Sequence, residues 1–198
     1  LEAFESFVAL AMETEGLVVS EAVKFKLVLQ TKKVESIEFQ EHGYEVDLVA
    51  ARQDKLVLAS VKSFFGSQGV KPKEVAGLTG KQGDRGYKMF NRPEVRDGIL
   101  EAACKTYGYQ PHQVEFRLYV GHFSSVAQEI ETRNWCESQQ VGAGPIGLYS
   151  VDQIVDVVKD KASSKTYQNN PALVALKVLQ EAERYSLKKS KHQKKETK

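Results

Sequence analysis

Residues 44–62 carry two apolar runs around a polar turn, and this stretch limits the fold of the chain more sharply than any other. Side chains alternate across a strand, so residues two apart share a face. In the second run Leu56, Leu58, Ser60 and Lys62 lie on one face and Val57, Ala59 and Val61 on the other. A run that is apolar on both faces until its last turn belongs inside a sheet covered on both sides, with its polar end opening at the rim. In the first run Val46, Leu48 and Ala50 oppose Glu45, Asp47 and Val49, with Gln53-Asp54-Lys55 as the turn. Antiparallel pairing about that turn brings Asp47 and Lys62 to the same rim. Strand geometry alone also allows this pair to be a structural ion pair.

With 198 residues and 41% hydrophobic content, the chain is long enough to bury the core of one domain, with room for small appendages. Cys104 and Cys136 fall in helical stretches without metal-ligand spacing, so they read as small buried hydrophobes in a reducing compartment, with neither disulfide nor zinc. No apolar run reaches the roughly eighteen residues of a membrane span, and no basic region followed by an apolar stretch opens the chain. No membrane partner and a cytoplasmic location are the expectations. An opening on Leu1 rather than Met points to a trimmed chain or a fragment.

The net charge of +2 conceals a division, because the segment from Arg184 onward carries +6 and residues 1–183 carry −4. Acid gathers in the first fifty residues, with ten Asp and Glu against four Lys. Base returns over 71–97, where Lys71, Lys73, Lys81, Arg85, Lys88, Arg92 and Arg96 outnumber Glu74, Asp84, Glu94 and Asp97. A basic surface beside an acidic pocket suits nucleic acid, since phosphates dock on cations while metal ions need carboxylates. The terminal lysines by themselves read as a solvated, disordered tail.

Leu1, Phe4, Phe7, Val8 and Ala11 recur at helical spacing over 1–15, and Gly16 closes that helix. Glu5 lies at the border of the apolar face beside Met12, whereas Glu2 points away. Strand follows over 18–29, a polar turn over 30–35, and more strand over 36–52, interrupted by the turn signal Glu41-His42-Gly43. A helix opens near Pro72, and Gly77, Gly80, Gly83 and Gly86 mark a mobile basic loop. Pro93 and Gly108 bracket a second helix, and 114–120 alternates as a strand. Ser125 with Gln128, and Ser150 with Gln153, are capping-box signals on either side of a short strand at 146–149, and a last helix spans 171–187. This order predicts a mixed α/β sandwich with helices on both faces of the sheet.

Phe4-Glu5 with Phe7-Val8, Met12 and Gly16, then Glu45-Val46-Asp47-Leu48, then Leu58-Ala59-Ser60-Val61-Lys62, resembles the PD-(D/E)XK nuclease superfamily, particularly its Mrr-type restriction endonucleases and archaeal Holliday-junction resolvases. The likeness covers roughly residues 1–75 in motif and reaches about 150 in element order. It implies a restriction-endonuclease-like α/β fold: a central mixed sheet flanked by helices, an αβββαβ core over 1–150, C-terminal helices over 151–187, and a disordered basic tail over 188–198. It implies a DNA endonuclease of restriction or repair type, with Asp47, Lys62 and Glu5 in the active site. Double-strand cutting would call for two such sites, hence a possible homodimer.

The chemistry accounts for those residue types. Phosphodiester hydrolysis needs charge neutralised on the phosphate and a nucleophile made near pH 7, and a divalent ion held by carboxylates supplies both. Mg²⁺, with Mn²⁺ as substitute, prefers oxygen ligands and keeps several waters. Asp47 would be the main ligand, Glu5 would act through water, and the Val61 carbonyl would add an oxygen; Lys62 would orient the attacking water. Lys71, Lys73, Lys81, Arg85 and Lys88 would hold DNA phosphates. Ser60 departs from the family pattern, standing where an acid or glutamine is usual. Some restriction enzymes of the superfamily with Ser-Val-Lys take a glutamate from the next helix, a part open to Glu74, whose other reading is a favourable charge on a helix dipole. Glu45 is a second substitute or a solvent-facing strand residue. The alternative function is a nuclease-fold nucleic-acid-binding module that has lost catalysis, and a third reading keeps Asp47 and Lys62 as a structural pair.

Other motifs fail. Gly77-Leu78-Thr79-Gly80-Lys81-Gln82 lacks the first glycine and the closing Ser or Thr of a phosphate-binding loop. Gln82 to Tyr87 does not match the spacing of RecB-like nucleases. His42, His112, His122 and His192 are scattered; His42 reads as a turn residue, and His122 ends a strand where it can line a pocket.

Overall fold

The computed structural model describes residues 3–30, 39–164 and 170–196. The turn expected over 30–35, beyond Gln30, lies outside these residues, as do the strand start at Ser36 and the helix start at Leu1. Helix α1 (Ala3–Thr14) buries Phe4, Val8 and Met12 and stops before Gly16, whose φ of 76° is a left-handed setting that costs glycine little. Strands β1 (Val18–Gln30), β2 (Phe39–Arg52) and β3 (Lys55–Lys62) follow as an antiparallel meander. The chain then runs through α2 (Pro72–Val75), a 3₁₀ turn at Gln82–Tyr87, α3 (Lys88–Asn91) and α4 (Pro93–Tyr107). It returns as β4 (Val114–Val120), parallel to β3. Next come α5 (Val126–Ser138), a small hairpin of β5 (Gln140–Val141) and β6 (Gly144–Pro145), β7 (Gly147–Ser150) parallel to β4, α6 (Val151–Ser163) and α7 (Pro171–Glu196).

The fold is thus α/β, with a five-stranded mixed sheet in the order β1-β2-β3-β4-β7 and helices on both faces. On one face Leu48, Ala50, Val57, Ala59 and Val61 meet α1, Ile154 and Val158 of α6, and Leu173 and Leu176 of α7. On the other, Leu56, Leu58, Phe116 and Leu118 meet Val95 and Ile99 of α4, Cys136 of α5, and Tyr87, Met89 and Phe90. Each fully buried aliphatic or aromatic side chain contributes roughly 1.5–3 kcal/mol, so the doubly covered β3 sits at the most stabilised level of the molecule.

The expected helix-strand order and the mixed sheet between helical layers are what the structure shows. Gly108 closes α4 at φ 79°, Ser125 accepts the Gln128 amide at the start of α5, and Ser150 and Gln153 form a capping box at α6. Helix α2 opens at Pro72 as expected, and is one turn long. Three local expectations need correction. Strand β2 runs without a break through Glu41, His42 and Gly43, because each is paired across to Val28, Leu27 and Lys26 of β1, and that ladder outweighs the local turn signal. The glycine-rich stretch expected as a mobile basic loop contains a 3₁₀ turn and is tied down: Asp84 accepts from the Thr79 hydroxyl and from the amides of Thr79 and Gly80, and Asn91 donates to the carbonyls of Glu74 and Asp84. Finally, α7 runs to Glu196 instead of ending at Leu187 in a disordered tail. The added residues are rich in Lys, Gln and Glu, good helix formers, and contain no Gly or Pro to stop them.

Candidate functional site at the rim of the sheet

Pairing between β2 and β3 extends from Arg52 opposite Lys55 to Leu48 opposite Ala59 and ends there. On its other side β2 pairs with β1 at Leu48 and Val46 but not at Asp47, opposite which Ala22 takes a left-handed φ of 50°. Asp47 therefore sits where β2 is released from both neighbours. Its side chain takes over the lost pairing: Oδ2 accepts from the Val61 amide at 2.6 Å and from the Ser60 hydroxyl at 2.9 Å. The Lys62 ammonium stands 3.6 Å from the same oxygen. Both side chains are largely covered, Lys62 at 19% and Asp47 at 25% exposed, which leaves each with a narrow solvent face.

Lys62 ends β3, and its neighbour in β4 is Val120. Strands β3, β4 and β7 are parallel, so this rim is the carboxyl end of the parallel half of the sheet, where open α/β sheets place their ligand sites. His122 lies just past β4 on the same side; its carbonyl accepts from the Val70 amide, and a side chain at Gly69 would strike it. His122 also lines a cavity of about 380 Å³ with Ser125 and Ser150, as expected of a histidine that ends a strand. The first turn of α1 reaches this rim through an edge-to-face contact of Phe4 with Phe65, ring centres 5.3 Å apart.

The structure thus brings Asp47, Ser60, Val61 and Lys62 together. Glu5 is half-buried on α1, beside Phe4. The Glu74 carboxylate is turned elsewhere: it lies against Gly83, pairs with Lys71 at 3.7 Å, and adds to the burial that pushes the Tyr87 hydroxyl above its usual range. The buried Tyr87 hydroxyl has no hydrogen-bond partner. Glu45 is half-exposed and pairs with Lys24 of β1 at 3.6 Å. Of the basic residues, Lys73, Lys81 and Arg85 are exposed and Lys88 is half-buried. Among the described residues no three His, Cys, Asp or Glu side chains gather as a metal cage.

Two arrangements were not read from the sequence. Arg117, 3% exposed in β4, forks onto Glu15 at 2.7 and 2.9 Å, bonds Glu115 at 2.6 and 2.9 Å, donates to Tyr119, and lies over the Tyr149 ring. Lys55 closes the chain of charges on Glu115. The available signal was an arginine in an apolar strand, two residues from a glutamate on its own face. The second arrangement is a set of side chains around Tyr44, where burial pushes the hydroxyl up to about 12 against a hydrogen bond from the Met89 backbone, and the Asp47 charge adds to the rise. Both cysteines are free, and burial raises the thiols, Cys136 to about 12, which keeps them as packing residues.

No described helix is long and apolar enough to cross a membrane. Compared with known proteins, the chain matches no family model, no curated protein and no solved structure.

Proposed function

We propose that the protein is a metal-dependent endonuclease that hydrolyses DNA phosphodiester bonds, built on a restriction-endonuclease-like form of the α/β fold. The observation that carries this reading is the Asp47–Lys62 pair, held 3.6 Å apart at the carboxyl rim of the parallel strands where β2 parts from β3. A purely structural pair has no need of a released strand and a solvent face.

The donor set suits Mg²⁺ or Mn²⁺. All three contacts of Asp47 described above run to Oδ2, so Oδ1 would be the hard oxygen offered to a divalent ion, with the Val61 carbonyl as a further ligand and Glu5 acting through water. Mg²⁺ is commonly held by one or two carboxylates, with waters and substrate oxygens completing its shell. Such an ion, when bound, supplies charge neutralisation at the phosphate and acidifies a water. Lys62 would bring its ammonium to the attacking water and the phosphate, with Asp47, 3.6 Å away, holding that side chain in place. Ser60 supports the pair by donating to Asp47, and Glu74, paired with Lys71, is the weaker choice for the missing carboxylate. Lys73, Lys81, Arg85 and Lys88 would take the flanking phosphates, with Lys71 shared between Glu74 and DNA.

A second reading, a nucleic-acid-binding module without catalysis, is favoured by Ser60 in the acid position and by the pairing of Glu74 with Lys71. Nicking of supercoiled plasmid in Mg²⁺ separates the two. The nuclease reading expects cutting by the parent and none by Asp47→Ala or Lys62→Ala; cutting that persists in both variants overturns it. Retention of DNA at low salt with no cutting by the parent supports the module.

A further inference from the structure

A cavity of about 690 Å³ opens between the β1–β2 hairpin and the start of α4. Leu27 and Val95 form an apolar floor, Tyr44 lines one wall, and Lys88 and Arg92 bring two cations against one acid, Glu94. The Arg92 amide, just past α3, donates to the Lys88 carbonyl at its start, and both side chains line the cavity. Two described acids of the hairpin are paired with its own lysines, Glu41 with Lys26 at 3.0 Å and Glu45 with Lys24 at 3.6 Å. Lys88 and Arg92 make no ion pair among the described residues. The cavity also receives the amino end of α4, a fifteen-residue helix whose dipole favours an anion there.

We propose that this cavity receives a phosphorylated nucleoside, its phosphate between Lys88 and Arg92 and its base against Tyr44 and the apolar floor. Size, paired cations and an aromatic wall over an aliphatic floor fit one charged group joined to one flat, largely apolar body. The choice of a nucleoside over another phosphorylated ring rests on the nuclease reading. Tyr44 stands three residues before Asp47 on β2, roughly 10 Å away at ~3.3 Å per residue. A nucleotide held here therefore belongs to the same strand path as the phosphate at Asp47 and Lys62. The shared chemistry has two sources, a free mononucleotide or the phosphorylated end of a DNA strand.

Calorimetric titration without divalent ions tests it, using dAMP, deoxyadenosine and inorganic phosphate as probes. The expected result is saturable binding of dAMP, at least tenfold tighter than either fragment and weakened tenfold or more in the Lys88→Ala/Arg92→Ala variant. Lys159→Ala, on the opposite face, serves as the control and keeps full affinity. Displacement of dAMP by a 5′-phosphorylated oligonucleotide, but not by its 5′-hydroxyl form, assigns the site to strand ends; no displacement assigns it to the free nucleotide. Binding that fails to saturate, or that is unchanged in the double variant, overturns the proposal. A plasmid that stays uncut by the parent while dAMP still binds removes the catalytic reading and leaves this site standing.

Discussion

Asp47, one residue past the last paired position of β2, places Oδ2 2.6 Å from the amide nitrogen of Val61, two residues past the last paired position of β3. A side-chain oxygen thus stands in for the strand carbonyl that would otherwise accept from this amide. The substitution lets β2 bend away without orphaning a donor at a residue that is 8% exposed. Lys62, next in the chain, is brought to the same carboxylate. One aspartate therefore ends the ladder and orders the lysine.

This double role predicts a split between stability and activity. Asp47→Ala leaves the Val61 amide unpaired, at a cost of about 1–3 kcal/mol, while Asp47→Asn keeps an acceptor and loses less than half as much. Both variants are expected to lose plasmid nicking, since neither supplies the charge. Urea unfolding and nicking on the same preparations check the pair. Cutting that survives in Asp47→Asn shows that the charge is not needed.

Ser60 is 7% exposed and points its hydroxyl at Asp47. Ser60→Glu restores the acid usual in the resembled superfamily, but sets two carboxylates side by side, a repulsion on the order of 4 kcal/mol at an effective dielectric near 20. The variant is expected to unfold at a lower temperature than the parent in EDTA and to recover on addition of Mn²⁺. Thermal unfolding with and without the ion decides the matter. A melting point indifferent to Mn²⁺ excludes position 60 from a metal site.

The legible parts of the molecule were those fixed by short-range chemistry. Apolar alternation marked β3 and β4, Pro93 and Gly108 bracketed α4, and Ser125 and Ser150 announced α5 and α6, because caps and strand faces depend on residues a few places apart. Asp47 and Lys62 were legible as a pair for the same reason, since one turn fixes their register. Glu74 was placed correctly in sequence yet points at Gly83, a contact set by the fold of the 3₁₀ segment. The Arg117–Glu15 fork joins residues 102 positions apart, and no local pattern announces it. His42 carried a turn signal that the β1 ladder overrode, and so the cavity beside Tyr44 was hidden.

The buried network around Arg117 is expected to be the main polar clamp between α1 and the sheet. Glu15 follows directly on α1, and its carboxylate accepts the guanidinium fork while its carbonyl accepts from Arg52 at 2.9 Å. Arg117→Ala strands the Glu15 carboxylate and leaves Glu115 to Lys55 alone, and is predicted to cost about 3 kcal/mol. Arg117→Met, which refills the volume, is expected to cost less when paired with Glu15→Gln and Glu115→Gln. Urea unfolding of the single and triple variants tests this; an Arg117→Ala loss under 1 kcal/mol on the scale of ordinary surface changes would show that the network is not a clamp.

Acid should loosen the same region. Burial pushes the Glu115 carboxyl up, but hydrogen bonds from Lys55 and Arg117 outweigh it, and the net shift is downward. The folded state therefore favours ionised Glu115, and its stabilisation is complete above the ordinary glutamate value of about 4.3. It is lost as pH falls through the lower folded value. Asp152, held down chiefly by the Ser150 hydroxyl, acts in the same direction. The urea midpoint is thus expected to fall from about pH 4 downward. Glu115→Gln should start lower at pH 6 and decline less, so that the two curves converge in acid. Parallel curves would assign the acid sensitivity to other carboxylates and remove Glu115 as its source.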